Sequence, residues 1–399
     1  MLHLALLGLL APAQDPADPP ASGVVLTRGE SRVTLDGEFR LRAESRDPEF
    51  PLAGVDRESA SSGRFRLGFR GEVGENLAAI VQFQKSVLDE GEDSEDFVHL
   101  AVLAWSAIAD LADLEVGRFE MAYGSGLLVG ADDWSPTGRA FDGVRLMCRG
   151  RTYRADLFWT QPVEDQAVAE GVDQSFGGVW VEFPRAPLAI EVYGLARNDN
   201  SASTTDLADT TVGARVRGGA APGWTWSAET AVQFGDHGPA DAGGLLAALR
   251  GGLPHAGAFR AGAGLLYASG DDDPADADDE AFAPLYEESH AILGLQDLVS
   301  LTNVLDVYAD AGYDVDGNWT LGAALHFLRL AQDNGLPPIA GATGIVGESN
   351  LGSELDVWLS GRLMQQLDLV LGGAQFFAGD AIADGDDQFW AFVQALVWF

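Results

Sequence analysis

The side chains best placed to do chemistry in this sequence are arginines on alternating positions. Arg40 and Arg42 alternate with Phe39 and Leu41, and Arg64, Arg66 and Arg70 share a stretch with Phe65, Leu67 and Phe69. Arg118, Arg139, Arg145 and Arg149 follow within one short span. A guanidinium is a planar, permanently charged fork that grips a carboxylate or phosphate at two points. Lined up inside a water-filled wall, such groups would attract anions. Paired with Asp36, Glu38, Glu72, Glu120 and Asp142 they would instead tie the wall together, and both readings stand on the sequence.

Other candidates are weaker. Trp134 and Phe141 offer flat apolar faces on which a sugar ring could stack, although packing of a folded-in loop is the plainer role. Asp271, Asp272 and Asp273 open an acidic run to Glu280 whose carboxylates suit Ca²⁺, the one cofactor considered. The run lacks EF-hand spacing and reads more readily as a solvated extracellular loop. The six histidines are scattered without an H-E-x-x-H pattern, and Gly124-Ser125-Gly126 is not a G-x-S-x-G nucleophile turn. No catalytic constellation remains, so an enzyme is not expected. The single Cys148 excludes an intramolecular disulfide and a multi-cysteine metal site.

Charge narrows the partners. The formal net charge of −37 argues against nucleic acid, which is bound by basic surfaces that release counterions. Residues 1–154 hold 16 basic and 25 acidic groups, whereas residues 155–399 hold 8 and 36. The arginines therefore gather in the first part of the chain. A hydrophobic fraction of 47% is too high for a disordered acidic polymer, so most of the chain should fold.

The elements that would position these arginines repeat with period two. Val33–Ala43, Arg64–Glu72, Val144–Arg149 and Thr211–Arg217 each put apolar side chains on one face and charges on the other. Further strands are expected at 77–85, 97–105, 114–119, 153–159, 188–196, 224–234, 259–267, 304–312, 319–328, 354–363 and 367–377, separated by Gly, Asp, Asn and Pro clusters. Residues Leu2–Leu10 followed by Ala11-Pro12-Ala13 read as an export signal cleaved before Gln14, with a flexible segment over 14–30 and one domain over 31–399. No run of about 18 apolar residues exists, so a membrane location requires a barrel. Trp105, Tyr153, Trp159, Tyr193, Trp224, Tyr267 and Trp319 near strand ends suit an interfacial girdle. The chain closes on an apolar strand ending in Phe399, as outer-membrane barrels do for recognition by their assembly machinery.

The run Gly117-Arg118-Phe119-Glu120-Met121-Ala122-Tyr123-Gly124-Ser125-Gly126, followed by Trp134-Ser135-Pro136-Thr137-Gly138-Arg139-Ala140-Phe141-Asp142-Gly143-Val144-Arg145-Leu146, resembles the alginate export family of outer-membrane barrels. Residues 282–286, 352–357 and 372–379 resemble that family's later motifs. The resemblance implies an all-β, 18-stranded antiparallel transmembrane barrel in the outer membrane, with an Arg-rich lumen that passes an anionic polysaccharide or uronate-like solute. The chain departs from the family pattern at Phe119, Ser125 and Leu127, where Gln, Asp and Arg are usual, and the Leu127 departure removes one lumen cation. The expected partners are an anionic saccharide or small anionic solute, the lipid bilayer and the assembly machinery. The competing readings are a small-anion or nutrient uptake porin and, from another class, a secreted glycan-binding β-protein.

Overall fold

A strand with one apolar and one charged face must offer each to a different medium, and the computed structural model of the protein does so inside out. It describes residues 23–46, 59–87, 95–108, 111–162, 174–185, 188–199, 206–220, 223–288, 290, 292–383 and 385–399. The expected export signal lies outside them. In chain order the strands are β1 (Val24–Arg28), β2 (Ser31–Arg46), β3 (Ser59–Val73), β4 (Leu77–Val87), β5 (Glu95–Ile108), β6 (Ala112–Phe119), β7 (Phe141–Arg149), β8 (Arg154–Pro162), β9 (Gln174–Arg185) and β10 (Leu188–Asp199). They continue as β11 (Leu207–Ala220), β12 (Trp224–His237), β13 (Ala240–Gly252), β14 (Phe259–Ala268), β15 (Asp278–Asp279), β16 (Val304–Asp314), β17 (Trp319–Leu330), β18 (Asn350–Met364), β19 (Leu367–Ala378) and β20 (Gln388–Trp398). Leaving aside the hairpin strand β1 and the two-residue β15, 18 strands pair antiparallel with their neighbours. The cylinder closes where β2 meets β20, from Glu38 opposite Trp398 to Arg46 opposite Trp390.

The seam is completed by two short elements. Phe399 exchanges backbone hydrogen bonds with Gly37 at 2.8 and 3.0 Å. Beyond it β1 takes over the lane left by β20, pairing Val24 with Leu35. Part of the segment expected to be flexible is therefore a strand.

Phe39, Leu41, Phe65, Phe83, Leu103, Val232 and Phe327 are exposed on the outside, while Arg40, Arg42, Arg64 and Arg66 are buried within. An apolar belt of this extent suits lipid rather than water. Trp105, Tyr153, Trp159 and Trp224 are exposed. Tyr267 and Trp319 share the outer face with Leu305 and Leu359, their strands' paired neighbours or next-but-one positions. Tyr193 departs from the expected girdle: it points inward and stacks on Trp180 at 4.2 Å. No helix of the described residues is long and apolar enough to cross a membrane.

Two strands, β9 and β13, have no counterpart among the expected ones. In β13, Leu246 on the inside is as apolar as Leu245 and Leu249 outside, so the sequence shows no alternation. The cause is a dry core inside the barrel, where Met121, Leu128, Phe141, Leu246, Phe282 and Phe376 meet. Several of its members come from segments between strands. Short connections, such as residues 74–76, 150–153 and 315–318, mark the end that holds Phe399, and long ones the other end. In bacterial barrels the short turns are periplasmic.

Candidate functional site

The connection from β6 to β7, residues 120–140, lies against the inner wall, where arginines hold its tip by the backbone. Arg40 donates to the Asp133 carbonyl and, at 2.6 Å, to that of Ser135. Arg42 donates to the Trp134 carbonyl at 2.8 Å, and Arg64 to the Asp133 carbonyl at 3.0 Å. Arg64 also pairs with Glu38 at 2.6 Å and with the Asp133 carboxylate at 2.8 Å. Arg66 contacts Asp133 at 3.2 Å, Gln84 at 2.6 Å and Glu120 at 3.6 Å. Four of the expected arginines are thus loop anchors. Burial by itself would raise the Glu120 carboxyl, but the His99 hydrogen bond and the Arg66 charge outweigh it and bring it down to about 2.

A second inward segment, formed by residues 269–288, 290 and 292–303, reaches from one wall to the other. Arg197 on β10 donates to the Pro284 carbonyl at 2.6 Å, and Gln233 on β12 brackets Ala283 with bonds of 2.8 and 2.9 Å. Across the barrel, Glu354 on β18 accepts from the Gln296 N–H at 2.9 Å. The two segments join through a bridge between Val129 and Tyr286. Arg139 strengthens the joint by donating to the Tyr286 and Glu287 carbonyls at 2.8 and 2.7 Å. Glu288 accepts from the N–H groups of Asp132 and Asp133 at 3.1 and 3.0 Å.

Neither aromatic candidate has a ring face turned to an open channel. Trp134 is sandwiched between the Arg42 guanidinium, 3.9 Å from its centroid, and the His290 ring at 3.7 Å. Phe141 is fully buried against Phe176 and Tyr286. The inner apolar face of β20 finds its explanation here, since Trp390 and Phe392 pack edge-on to Trp134.

Solvent-reachable guanidiniums lie elsewhere. Arg149 and Arg154 oppose each other at the short-turn end, with side chains 67% exposed. The register then runs along one inner row through Glu182, Glu191, Arg215 and Glu229. Arg217, 37% exposed, bonds to Glu182 at 2.7 Å. Arg145 is tied to Glu115, and Arg70 is half-exposed beside Glu72. Arg154, Arg215 and Arg217 were not singled out by sequence, although alternation within Thr211–Arg217 carried the signal for the last two. Arg118 must be removed from the expected lumen set. Its register places it and its bidentate partner Asp142 on the outer face with Val116 and Val144.

In the acidic run, Asp271 and Asp272 come together with Glu280 rather than Asp273, their oxygens all within 4.8 Å. Asp273 instead accepts from the Ala275 N–H within a turn.

An outward apolar belt, an inward charged wall and loops anchored inside it define a membrane-embedded β-barrel channel rather than an enzyme. Residues 31–395 match the alginate export family, and the chain belongs to it as an outer-membrane channel. Among solved structures it is similar to three proteins of Pseudomonas aeruginosa. For OccK5 (OpdH) the identity is 13% and the TM-score 0.63, covering 92% of this chain and 98% of that one. For OccD3 (OpdP) the values are 10% and 0.65, over 95% and 93%. For OccK2 (OpdF) in complex with glucuronate they are 10% and 0.64, over 92% and 96%. No curated protein matches the chain.

Proposed function

We propose that this channel passes an anionic polysaccharide or uronate-like solute along the inner row that starts at Arg149 and Arg154. The observation that carries the reading is the exposure of these two guanidiniums, with Arg217, at the short-turn mouth. A cation at a pore mouth raises the local concentration of anions before any binding occurs. Neighbouring Glu182, part-exposed beside Arg154 and Arg217, offers an acceptor to hydroxyl groups, so the row suits a hydroxylated carboxylate better than a bare halide. In the same reading Phe399 and β20 serve the assembly machinery. A similar structure of OpdK holds vanillate, a small carboxylate, which favours passage of small solutes as the second reading.

The test is planar-bilayer recording under a salt gradient. The reversal potential should show anion preference in the native protein and lose most of it in the triple variant Arg149→Ala, Arg154→Ala, Arg217→Ala. Cation preference in the native channel would overturn the reading. Blockage of current by oligouronate but not by glucuronate separates polymer from small-solute passage.

A further inference from the structure

The tip of the 120–140 segment is gripped on two sides. Its carbonyls face the guanidiniums of Arg40, Arg42 and Arg64. Its N–H groups at Asp132 and Asp133 are held by one side chain, Glu288, from the other inward segment. The approach is close: a Cβ on Gly130 would stand 2.7 Å from Glu288 Oε2, 2.8 Å from its backbone N and 2.9 Å from its Cβ, so only glycine lets the two segments meet here. Besides the Glu288 carboxyl, the joint rests on the bridge at Val129, on the Glu288 N–H donating to the Gly126 carbonyl at 2.8 Å and on Arg139.

We propose that Glu288 is the positioning residue of this constriction, coupling the two inward segments so that its protonation seats the tip and its ionisation loosens it. The inference rests on the protein being a channel and not on the charge of its cargo. The charged and titratable groups around Glu288 are Asp132, Asp133 and Arg139 on the 120–140 segment, Arg40, Arg64 and Arg66 reaching it through Asp133, and Glu287, His290 and Asp297 on its own segment.

Burial first, and then the charges of Asp132 and Asp133, push the Glu288 carboxyl up to about 7 against the two N–H bonds that favour ionisation. A carboxyl released into water returns to the ordinary range of about 4 to 5. The seated state therefore binds the proton more tightly than the released one. Seating is strongest below that ordinary range, weakens as pH rises towards 7, and changes little above it.

The experiment is single-channel recording of the full mature protein in symmetric KCl from about pH 5 to about pH 8. Mean conductance should rise by at least about threefold across that window. Glu288→Gln, which does not ionise and offers one acceptor oxygen where two N–H groups now find two, should give a flat profile across the window. Gly130→Ala, which drives the Glu288 backbone as well as its carboxylate away from the tip, should hold a high value. The Glu288→Gln reversal potential under a salt gradient should equal the native one, separating this result from any failure of the anion reading. Heat-modifiable gel migration checks that each variant is folded. Should Glu288→Gln not assemble, Glu288→Asp, which is shorter and still titrates, should move the midpoint to lower pH. A flat native profile, or a Glu288→Gln or Glu288→Asp variant with the native rise and midpoint, would overturn the proposal.

Discussion

Arg64 and Arg70 share the inner face of β3 and differ in what their removal would leave behind. The Arg64 side chain is 1% exposed and neutralises both Glu38 and Asp133, so Arg64→Ala would strand two carboxylates in a dry site. Breaking a buried pair from one side costs about 3–5 kcal/mol. Arg70 is 47% exposed beside Glu72, and a solvated pair of that kind contributes about 0–1 kcal/mol. The expected outcome is a marked drop for Arg64→Ala, and none for Arg70→Ala, in the temperature at which the fast-migrating folded form disappears from detergent gels. Equal shifts would show that Arg64 does not tie the wall to the loop. Alternation located these side chains and two of the acids paired with arginines here, Glu38 and Glu72, whereas Glu120 and Asp142 came in with the central motif. Arg118 also came in with that motif, which does not say which face of the wall a residue takes. Phe119 is apolar and looks inward, towards the loop core, so its neighbour Arg118 is turned out. Glu288 and Asp133 carried no periodic signal, since both lie between strands.

Among the elements, the 120–140 segment lies inside the barrel against its wall. It contacts β2, β3 and β4 on one side and the second inward segment on the other. Replacing residues 132–135 by glycine removes Trp134 from its stack on His290, and with it the carboxylates and the ordered carbonyls that the wall arginines grip. Single-channel conductance should then rise severalfold, and the reversal potential under a salt gradient should keep its native value because Arg149, Arg154 and Arg217 are untouched. Unchanged conductance would show that the tip does not restrict flow. The same packing explains what sequence patterning could not resolve at this scale. Strands whose inner side chains grip the loop backbone through charges, such as β2 and β3, alternate cleanly, whereas β13, which faces the apolar core, is apolar on both sides. The motif Trp134-Ser135-Pro136-Thr137-Gly138-Arg139 was legible as a unit, but its place inside the barrel depends on arginines distant in sequence.

For the whole molecule the decisive feature is closure, because a sheet with 18 strands has no free edge only if its first and last members meet. The net charge of −37 did not foretell this, since inner-wall acids largely face arginines and others lie in the segments between strands. At the seam Phe399 lies over Gly37, where any Cβ would strike its ring, and stacks on Phe65 at 6.4 Å. An aromatic ring covering a strand glycine restores the packing that glycine gives up. The ring contact contributes about 0.5–1.5 kcal/mol beyond its buried area. Both Phe399→Ala and Gly37→Val should therefore lower the urea midpoint for unfolding from lipid vesicles. The informative variant is the double one. If Gly37→Val acts by evicting the ring, its cost largely vanishes once Phe399 is already alanine, and the two effects fall well short of additive. Full additivity would mean that the introduced valine disturbs β2 by itself and that the Phe399 ring plays no part in holding the seam at that position.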